Sequence, residues 1–268
     1  MRLKDKVAIV TGTSSGIGLG IAEVFAEEGA KVVCVARREK EGEAVAESIR
    51  GKGGSAVFVT CDVSVEEQVE ELARRTIDDF GRIDVLVNNA GVNFVKAFEE
   101  VTAEDWDRVI GVDLRGTFLC TKACIGQFLK QGSGSVVNIA TVHTMACMAG
   151  AAPYDAAKWG MVGLTKSLAV EYAARDIRFN CLSPGLIDTQ IWDDIRNGAE
   201  DMDTCLAHWW SNIPMGRVGT IREIAQAAVF LASDEAAYIT GANLLADGGM
   251  TSQLISTPSY ASKAQQRK

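Results

Sequence analysis

The sequence is poor in the residues and patterns that mark metal sites and disulfide frameworks. It contains two histidines, and its seven cysteines include no C-x-x-C pair. Few soft ligands are therefore available for a metal, and an odd number of cysteines does not suit a paired disulfide framework. Cys120 and Cys124 stand four residues apart in an apolar stretch, a spacing and setting typical of buried core positions. These features predict no metal and a reduced, cytoplasmic protein.

Long apolar runs and excess positive charge are also lacking. No apolar run reaches the roughly 20 residues that a membrane-spanning helix needs, and only four apolar residues precede Thr11 after the charged N-terminus. That run is too short for the core of a signal peptide. The net charge of −8 gives no support for nucleic-acid binding. It also disfavours an acidic carrier protein as the main partner, unless a local basic patch overrides it.

The sequence is instead rich in short Val/Ile runs that alternate with longer helical patterns. Apolar strands without polar alternation indicate a parallel sheet covered by helices on both faces, and hence the α/β class. We predict strands at residues 6–11, 31–36, 55–61, 83–87, 135–140, 177–182 and 242–246. We predict helices at residues 17–28, 39–50, 64–80, 103–128, 156–168 and 221–232.

Smaller signals refine this outline. The helix at 103–128 should be interrupted near Gly111 and Gly116, and Ser64 followed by Glu67 predicts a capping box at the start of the third helix. No linker or repeat divides the chain, so residues 1–250 are predicted to form one domain. An irregular, Trp-rich loop at about 186–216 is the candidate substrate loop, and residues 251–268 read as a polar tail.

The turn after the first strand is rich in glycine, reading T-G-T-S-S-G-I-G over residues 11–18. Glycines permit a tight turn, let the backbone approach a pyrophosphate, and allow the following helix to pack closely on its strand. The phosphate then sits at the helix N-terminus, where unpaired N–H groups favour an anion. A purely structural turn is the alternative, but the βα units that follow favour a dinucleotide site.

A second candidate lies at Tyr154 and Lys158, four residues apart on a predicted helix. This spacing places both side chains on one helix face. A positive charge close to a phenol lowers the pKa of the phenol, so the pair is typical of an acid–base group acting on a carbonyl or an alcohol. A surface Tyr and Lys on an ordinary helix would show the same spacing.

The motifs together resemble the short-chain dehydrogenase/reductase family over residues 3 to about 250. The resemblance rests on four motifs in order: the 11–18 turn, the N-N-A-G of 88–91, Y-x-x-x-K at 154–158, and Pro184-Gly185 followed by Thr189. It implies a Rossmann-type, doubly wound sheet of about seven parallel strands, a nicotinamide cofactor, reversible carbonyl/alcohol chemistry, and a homo-oligomer, either a tetramer or a dimer.

The resemblance also assigns roles to individual positions. Tyr154 matches the catalytic acid/base, and Lys158 matches the residue that activates it and holds the nicotinamide ribose. Asp62 with Val63 matches the adenine contact, and Thr189 the hydroxyl that meets the carboxamide. The cofactor-binding residues implied in full are Gly12, Ser14, Ser15, Gly16, Ile17, Gly18, Arg37, Arg38, Asp62, Val63, Asn89, Ala90, Gly91, Tyr154, Lys158, Pro184, Gly185, Ile187 and Thr189.

Two positions depart from the family pattern. Thr141 stands thirteen residues before Tyr154, where the family has Ser. Thr keeps the hydroxyl that can bond a substrate oxygen, but adds a methyl group. Asp113 stands where the family usually has an Asn that completes a proton relay to the Lys. An ionised Asp accepts hydrogen bonds and donates none, so such a relay would have to be rebuilt.

Cofactor choice should be decided at the end of the second strand. NAD-preferring relatives tend to carry an acidic residue there, whereas this chain has Ala36 followed by Arg37 and Arg38. A guanidinium matches phosphate geometry, so we predict a preference for NADP(H), with NAD(H) as the alternative. Ser15 is an argument against this NADP(H) preference, because some NADP-using enzymes carry a second basic residue at that position and this chain does not. Both arginines could also be merely solvated.

The substrate wall is expected from segments that vary among such enzymes. Aromatic faces in an apolar lid suit a sugar ring, a cyclic alcohol or an aliphatic chain. Each aromatic taken singly is more often a core or interface residue than a ligand contact, and His143 could equally bind a substrate polar group or cap a turn. The predicted substrate contacts are Thr141, His143, Trp192 and Phe94, with Asn93, Met145, Met148, His208, Trp209 and Trp210 as further candidates.

These features predict an oxidoreductase that transfers a hydride between NADP(H) and a secondary alcohol or ketone, such as a sugar, a polyol or another cyclic alcohol. A 3-oxoacyl or hydroxysteroid reductase remains the alternative within the enzyme class. A dinucleotide-binding sensor or scaffold without turnover is the alternative outside it, and it rests only on the departures at Thr141 and Asp113.

Overall fold

The computed structural model describes residues 1–189 and 209–254. Its centre is a seven-stranded parallel sheet with the strand order β3-β2-β1-β4-β5-β6-β7. The strands are β1 (Val7–Thr11), β2 (Lys31–Ala36), β3 (Ser55–Thr60), β4 (Val85–Asn88), β5 (Gly134–Ile139), β6 (Ile177–Pro184) and β7 (Asn243–Ala246). All seven predicted strands are present, and the predicted α/β architecture is confirmed.

Helices cover both faces of this sheet. They are α1 (Gly16–Glu27), α2 (Glu39–Gly51), α3 (Glu66–Phe80), α4 (Ala103–Val109), α5 (Gly116–Gln131), α6 (Ala152–Tyr172) and α7 (Ile221–Ala232). One apolar core packs α1, α2 and α7 on one face through side chains such as Phe25, Ile49 and Val229. The other packs α3 and α5 on the opposite face through side chains such as Leu72 and Phe128.

The predicted interruption of the fourth helix is confirmed and has a definite form. Residues Ile110–Arg115 are π-helical and join α4 to α5. A π-helical turn inserts into an α-helix at some cost in hydrogen-bond geometry and is frequent at functional sites. Here it contains Asp113, which is completely buried.

The capping box predicted at Ser64 is wrong. The N-cap of α3 is Val65, and no side chain caps it. Ser64 instead donates through both its N–H and its hydroxyl to Asp62 Oδ1, at 3.0 and 2.7 Å. Asp side chains readily accept hydrogen bonds from nearby backbone and hydroxyl donors in a turn. The Ser64 hydroxyl is therefore bonded to Asp62 and does not cap α3.

Two predicted segment boundaries, the start of the sixth helix and the start of the C-terminal tail, differ from those in the structure. Helix α6 begins at Ala152 with Pro153 in its first turn, four residues earlier than predicted, because Pro is well tolerated there. At the other end of the chain, Thr251 donates through its N–H and hydroxyl to Asp247 Oδ2, at 2.8 and 2.6 Å, so the ordered fold runs slightly past residue 250. The rest of the predicted tail, 255–268, lies outside the described residues.

The described residues contain no helix long and apolar enough to span a membrane and no cluster of three or more potential metal ligands.

The cysteines that the structure describes are free thiols, namely Cys34, Cys61, Cys120, Cys124, Cys147 and Cys181. Burial raises the pKa of Cys124 to about 12 and that of Cys34 to about 12. These buried thiols therefore stay protonated and unreactive at neutral pH, as expected for core cysteines.

Candidate active site

A cavity of about 570 Å³ opens at the carboxyl ends of the strands. Ligands of doubly wound sheets bind at this edge, beside the point where the strand order reverses, here between β1 and β4. The predicted residues that line the cavity are Gly12, Ser14, Ser15, Gly16, Ile17, Arg37, Arg38, Asp62, Val63, Asn89, Ala90, Gly91, Asp113, Thr141, Tyr154, Lys158, Pro184, Gly185, Ile187 and Thr189. Residues from eight separate chain segments thus converge on one site.

The glycine turn forms the floor of this cavity. Gly12 and Gly16 adopt φ values of 73° and 62°, which side chains larger than hydrogen rarely tolerate. Gly18 does not line the cavity, but a Cβ added there would lie 2.3 Å from Asn89 Nδ2 and 2.3 Å from Gly12 O. Asn89 Nδ2 itself donates to Thr11 O at 2.9 Å, so the β4 loop holds the turn in shape.

This cradle fits the pyrophosphate of a dinucleotide. The turn leaves N–H groups at the start of α1 without a side-chain cap, and such groups bind phosphate. The turn at Gly12 and Gly16 would hold the pyrophosphate. Asp62 and Val63 lie where the adenine half would rest, and Tyr154 and Lys158 lie where the nicotinamide ribose would rest. A dinucleotide cofactor is therefore compatible with the residues present.

We expect Gly18→Ala to test the cradle directly. The added methyl group must displace either Asn89 or the Gly12 carbonyl, and such overpacking typically costs about 1–3 kcal/mol. Dinucleotide affinity should therefore fall, as measured by fluorescence titration, together with the thermal midpoint. Gly126→Ala is the matched control, because a Cβ at this exposed helical position meets nothing within 4 Å. Equal dinucleotide affinity in both variants would contradict the assignment of the cradle.

Two arginines stand at the end of the cavity beyond β2. Arg38 Nη2 donates to Ser14 Oγ at 2.9 Å, and Arg37 Nη1 lies 3.7 Å from Asp62 Oδ2. Burial alone would raise the pKa of Asp62, but hydrogen bonds from Ser64 and the charge of Arg37 outweigh it and lower the pKa. Asp62 is therefore ionised at neutral pH, and both guanidinium groups remain largely exposed beside the glycine turn.

Tyr154 and Lys158 occupy the opposite end of the cavity. Both lie on α6, and Lys158 Nζ is 5.5 Å from the centroid of the Tyr154 ring. Lys158 also donates to the carbonyl of Ile139 at 3.1 Å, which anchors the ammonium to the end of β5. The helix therefore positions a cation next to the phenol, as the spacing of the two residues predicts.

Asp113 reaches this pair from the π-helical segment. Its Oδ2 lies 3.2 Å from Lys158 Nζ, and the side chains are 0% and 5% exposed, respectively. Its Oδ1 accepts a hydrogen bond from Val92 N at 2.8 Å. The contact between Asp113 and Lys158 is thus a buried ion pair.

The ion pair determines the charge of Lys158. Burial alone lowers the pKa of this ammonium, but the carboxylate of Asp113, with a smaller contribution from Tyr154, raises the net pKa above its ordinary value of 10.5. Lys158 is consequently protonated throughout the neutral range. The carboxylate behind it offsets part of the positive charge that Tyr154 experiences.

Thr141 lies at the start of a short 3₁₀ turn, Val142–Thr144, that follows β5. Its Oγ1 accepts from His143 N at 3.3 Å, which leaves the hydroxyl proton available to a substrate oxygen. Behind it, the hydroxyl of Thr144 donates to the carbonyl of Thr141 at 2.8 Å and accepts from Asn243 Nδ2 at 3.0 Å. Strands β5 and β7 together therefore position Thr141.

Of the other predicted substrate contacts, neither His143 nor Phe94 lines the cavity. His143 Nδ1 lies 2.6 Å from Asp155 Oδ1, and its ring packs edge-on against that of Tyr154 with centroids 5.6 Å apart. Phe94 is 6% exposed and belongs to a small apolar cluster beneath Tyr154 rather than to the cavity wall. Trp192 and His208 lie outside the described residues.

Some residues at this site were not anticipated from the sequence. Asp155 and Asn243 carry no spacing signal, because their partners His143 and Thr144 reach them through tertiary contacts. The signal that points to Asp155 is its position directly after Tyr154, next to the predicted helix. Val92 lines the cavity next to the N-N-A-G segment, together with the predicted candidate Asn93, and its place directly after that motif is the signal that points to it.

The sheet order and the glycine turn after β1 define the Rossmann class of dinucleotide-binding folds. A family model described as "Enoyl-(Acyl carrier protein) reductase" matches residues 12–251. The chain belongs to the short-chain dehydrogenase/reductase family. It is therefore an oxidoreductase that uses a nicotinamide dinucleotide, and the resemblance seen in the sequence is confirmed.

Individual relatives carry different activities. The chain is 40% identical to the 3-oxoacyl-[acyl-carrier-protein] reductase FabG of Chlamydia pneumoniae over 249 residues, covering 93% of this chain and 98% of the relative. It is 40% identical to D-threitol dehydrogenase of Mycolicibacterium smegmatis over 254 residues, covering 93% and 94%. A solved short-chain dehydrogenase/reductase from Burkholderia xenovorans superimposes with a TM-score of 0.91 at 37% identity, covering 95% and 99%.

Proposed function

We propose that the protein interconverts a secondary alcohol and a ketone with NADP(H) as cofactor, and that its substrate is a sugar, a polyol or another cyclic alcohol. The observation that carries this proposal is the arrangement of Tyr154, Lys158 and Thr141 at one end of a single cavity. The other end is formed by the glycine turn and two arginines. The relative named D-threitol dehydrogenase supports a polyol substrate.

The proposed chemistry divides between the cofactor and the chain. Hydride transfer is the chemistry that a bound nicotinamide supplies. Tyr154 gives a proton to the carbonyl oxygen during reduction, or takes one from the alcohol during oxidation. The Thr141 hydroxyl donates a hydrogen bond to the same oxygen, and protonated Lys158 stabilises negative charge on Tyr154. The walls of the cavity orient the reacting carbon and limit access of water.

The second candidate is reduction of a 3-oxoacyl thioester or an oxosteroid. The relative named FabG supports an acyl substrate, while the net charge of −8 disfavours an acidic carrier protein. A panel of one polyol, one cyclic ketone, one 3-oxoacyl thioester and one 3-oxosteroid, each assayed by the change in nicotinamide absorbance, separates these classes. Cofactor binding without turnover of any member would instead support the sensor or scaffold.

We also propose that the enzyme prefers NADP(H) over NAD(H) as its nicotinamide cofactor. Arg37 and Arg38 both line the cavity, and Ala36 at the end of β2 provides no carboxylate to repel a 2′-phosphate. Guanidinium groups bind phosphate with charge-assisted hydrogen bonds. The contact of Arg37 with Asp62 is long, at 3.7 Å, so turning toward a phosphate would sacrifice little.

We expect Arg37→Asp to shift cofactor preference toward NAD(H). The substitution removes a phosphate partner and adds a repelling charge, so the ratio of kcat/KM with NADPH to that with NADH should fall at least about tenfold. Lys40→Asp, which makes the same charge change at an exposed position of α2 outside the cavity lining, should leave that ratio near the wild-type value. Unchanged NADPH affinity in Arg37→Asp would rule out this reading of Arg37.

Asp113 offers a subtler test of the proton chemistry. Asp113→Asn keeps an oxygen that can accept from Val92 N but removes the charge that raises the Lys158 pKa. We expect activity to be kept or increased, and the alkaline side of the alcohol-oxidation pH profile to move to lower pH, because Tyr154 then experiences more of the positive charge of Lys158.

The pH dependence of kcat/KM for wild type and Asp113→Asn is the measurement, since it reports the essential groups of the free enzyme. Superimposable profiles would mean that Asp113 merely satisfies Val92 N and the loop around it. Complete loss of activity in a folded Asp113→Asn protein would make Asp113 a catalytic group in its own right.

The setting of the enzyme is also proposed. A reduced, cytoplasmic location agrees with the free, mostly buried thiols. A homo-oligomer, a tetramer or a dimer, is proposed from family membership and is supported by large apolar side chains exposed on α5 and α6. These are Phe118, Leu129, Trp159 and Val170, and exposed apolar side chains of this size are typical of subunit interfaces.

A further inference from the structure

His143 and Asp155 form a polar pair that the proposed proton transfer does not use. Their contact is short, at 2.6 Å between Nδ1 and Oδ1, and the side chains are 19% and 8% exposed. The backbone N–H of His143 donates to the Thr141 hydroxyl, and the imidazole ring packs against the ring of Tyr154. The pair therefore adjoins both groups that are proposed to contact the reacting oxygen.

The carboxylate fixes the orientation and the donor pattern of the imidazole. Asp155 lies on α6 directly after Tyr154, and its second oxygen accepts from Met148 N at 3.4 Å. With Nδ1 donating to Asp155, a neutral imidazole has its lone pair on Nε2, and a protonated one has an N–H there. Within residues 1–189 and 209–254, the hydrogen bond of this ring is made through Nδ1, so Nε2 is the ring nitrogen left for a ligand. His143 itself does not line the cavity, but it borders the cavity through its contacts with Thr141 and Tyr154, which do.

We propose that His143, oriented by Asp155, is a specificity-determining residue that bonds a second hydroxyl on the carbon next to the reacting carbinol. This inference rests on the proposed alcohol/ketone chemistry and narrows its substrate class to vicinal diols and the corresponding α-hydroxy ketones. Asp155 acts as a positioning residue for the imidazole.

The chemistry of the pair favours a neutral hydroxyl over an anion. A hydroxyl both donates and accepts, so it suits Nε2 in either protonation state, whereas a carboxylate can bond only the protonated ring. The Asp155 carboxylate next to the ring also opposes an anionic group on the substrate. A site built to bond a hydroxyl discriminates against a substrate that lacks it, because the polar atom is then left unpaired.

Matched alcohols test this proposal in the full-length protein. A linear set compares butane-2,3-diol with butan-2-ol and with butane-1,3-diol, in which the second hydroxyl is one carbon further away. A cyclic set compares trans-cyclohexane-1,2-diol with cyclohexanol and the 1,4-diol. Oxidation by NADP⁺ and by NAD⁺ gives the ratio of kcat/KM for the vicinal diol to that for the mono-alcohol. A substitution that lowers catalysis in general lowers kcat/KM for both alcohols by the same factor and leaves their ratio unchanged, because both substrates share the reacting carbinol.

We expect a ratio of at least about tenfold in the wild type, with no comparable gain for the more distant diols. His143→Ala should bring the ratio toward one, His143→Gln should restore part of it through its amide, and Asp155→Asn should give an intermediate value. These three results together would support a hydroxyl-binding role, since a structural pair alone would not change the ratio.

Three outcomes overturn the inference. A wild-type ratio near one shows that no second hydroxyl is bound. An unchanged ratio in His143→Ala, together with a lower thermal midpoint, would show that the contact between His143 and Asp155 only stabilises the loop at residues 145–151. Turnover of a 3-oxoacyl thioester without turnover of either alcohol set defeats this inference while leaving the enzyme class intact, whereas cofactor binding without any turnover defeats the proposed function itself.

Discussion

Tyr154→Phe should abolish nearly all turnover while leaving the dinucleotide bound. The substitution removes only the hydroxyl that is proposed to exchange a proton with the substrate oxygen. Losing a positioned acid or base typically lowers the rate by about 10²–10⁴-fold. The glycine cradle lies at a separate part of the cavity and keeps its contacts, so cofactor affinity should stay within a few-fold of wild type.

The measurement has two parts, kcat for alcohol oxidation and dinucleotide affinity by titration. Tyr172→Phe is the matched control, because Tyr172 lies at the end of the same helix and outside the residues that line the cavity. Its ring packs against Phe179, a contact that Phe preserves. Wild-type activity in Tyr154→Phe would show that the acid/base has been assigned to the wrong residue.

The convergence of the motifs could be predicted because the architecture is simple. Strands of a parallel sheet all end at the same edge, so turns that follow β1, β4, β5 and β6 must meet there. Gly12, Asn89, Thr141 and Gly185 therefore could be placed together from their order along the chain. Helix periodicity added Tyr154 and Lys158, since residues four apart share a face.

Contacts that depend on tertiary structure could not be predicted in this way. The pairing of His143 with Asp155 spans a loop of no regular period. Ser64 has two possible acidic partners, Asp62 two residues before it and Glu67 three residues after it. Phe94 was ambiguous for another reason. An apolar residue just after a strand can face either the cavity or the core, and only the packing of Ala157 and Val109 around it selects the core.

The environment of Asp113 could be predicted from the sequence only in part. Its motif position predicted proximity to Lys158, and the two are in contact. The sequence did not indicate that the contact would be a completely buried ion pair, because burial at that point depends on the π-helical turn. The turn carries the carboxylate into the interior, where an isolated charge would be strongly destabilising.

Lys158→Met should therefore damage both activity and stability. The variant loses the cation beside Tyr154 and leaves the Asp113 carboxylate buried without its partner. Breaking a buried ion pair from one side costs about 3–5 kcal/mol, which corresponds to a fall in the thermal midpoint on the order of 10 °C for a protein of this size. Turnover should fall at least as far as in other variants that lose a catalytic group, by about 10²-fold or more.

The pH dependence of stability follows from the direction of the Lys158 pKa. That pKa is raised above the ordinary value of 10.5, so the folded state holds the proton more tightly than the unfolded chain. The stabilisation by the pair is therefore fully present below the ordinary pKa and is lost as pH rises through the raised value. The difference in unfolding free energy between wild type and Lys158→Met should be constant near neutral pH and shrink only under strongly alkaline conditions.

The double variant Lys158→Met/Asp113→Asn separates the structural effect from the chemical one. Removing both charges leaves no uncompensated ion, and Asn can still accept from Val92 N. Replacing both members of a buried ion pair by neutral residues is often close to neutral for stability. The double variant should therefore recover most of the lost unfolding free energy in chemical denaturation, yet remain as inactive as Lys158→Met. Recovery of turnover along with stability would mean that Lys158 serves the fold alone, and failure of Lys158→Met to destabilise the protein would mean that the ion pair contributes nothing to it.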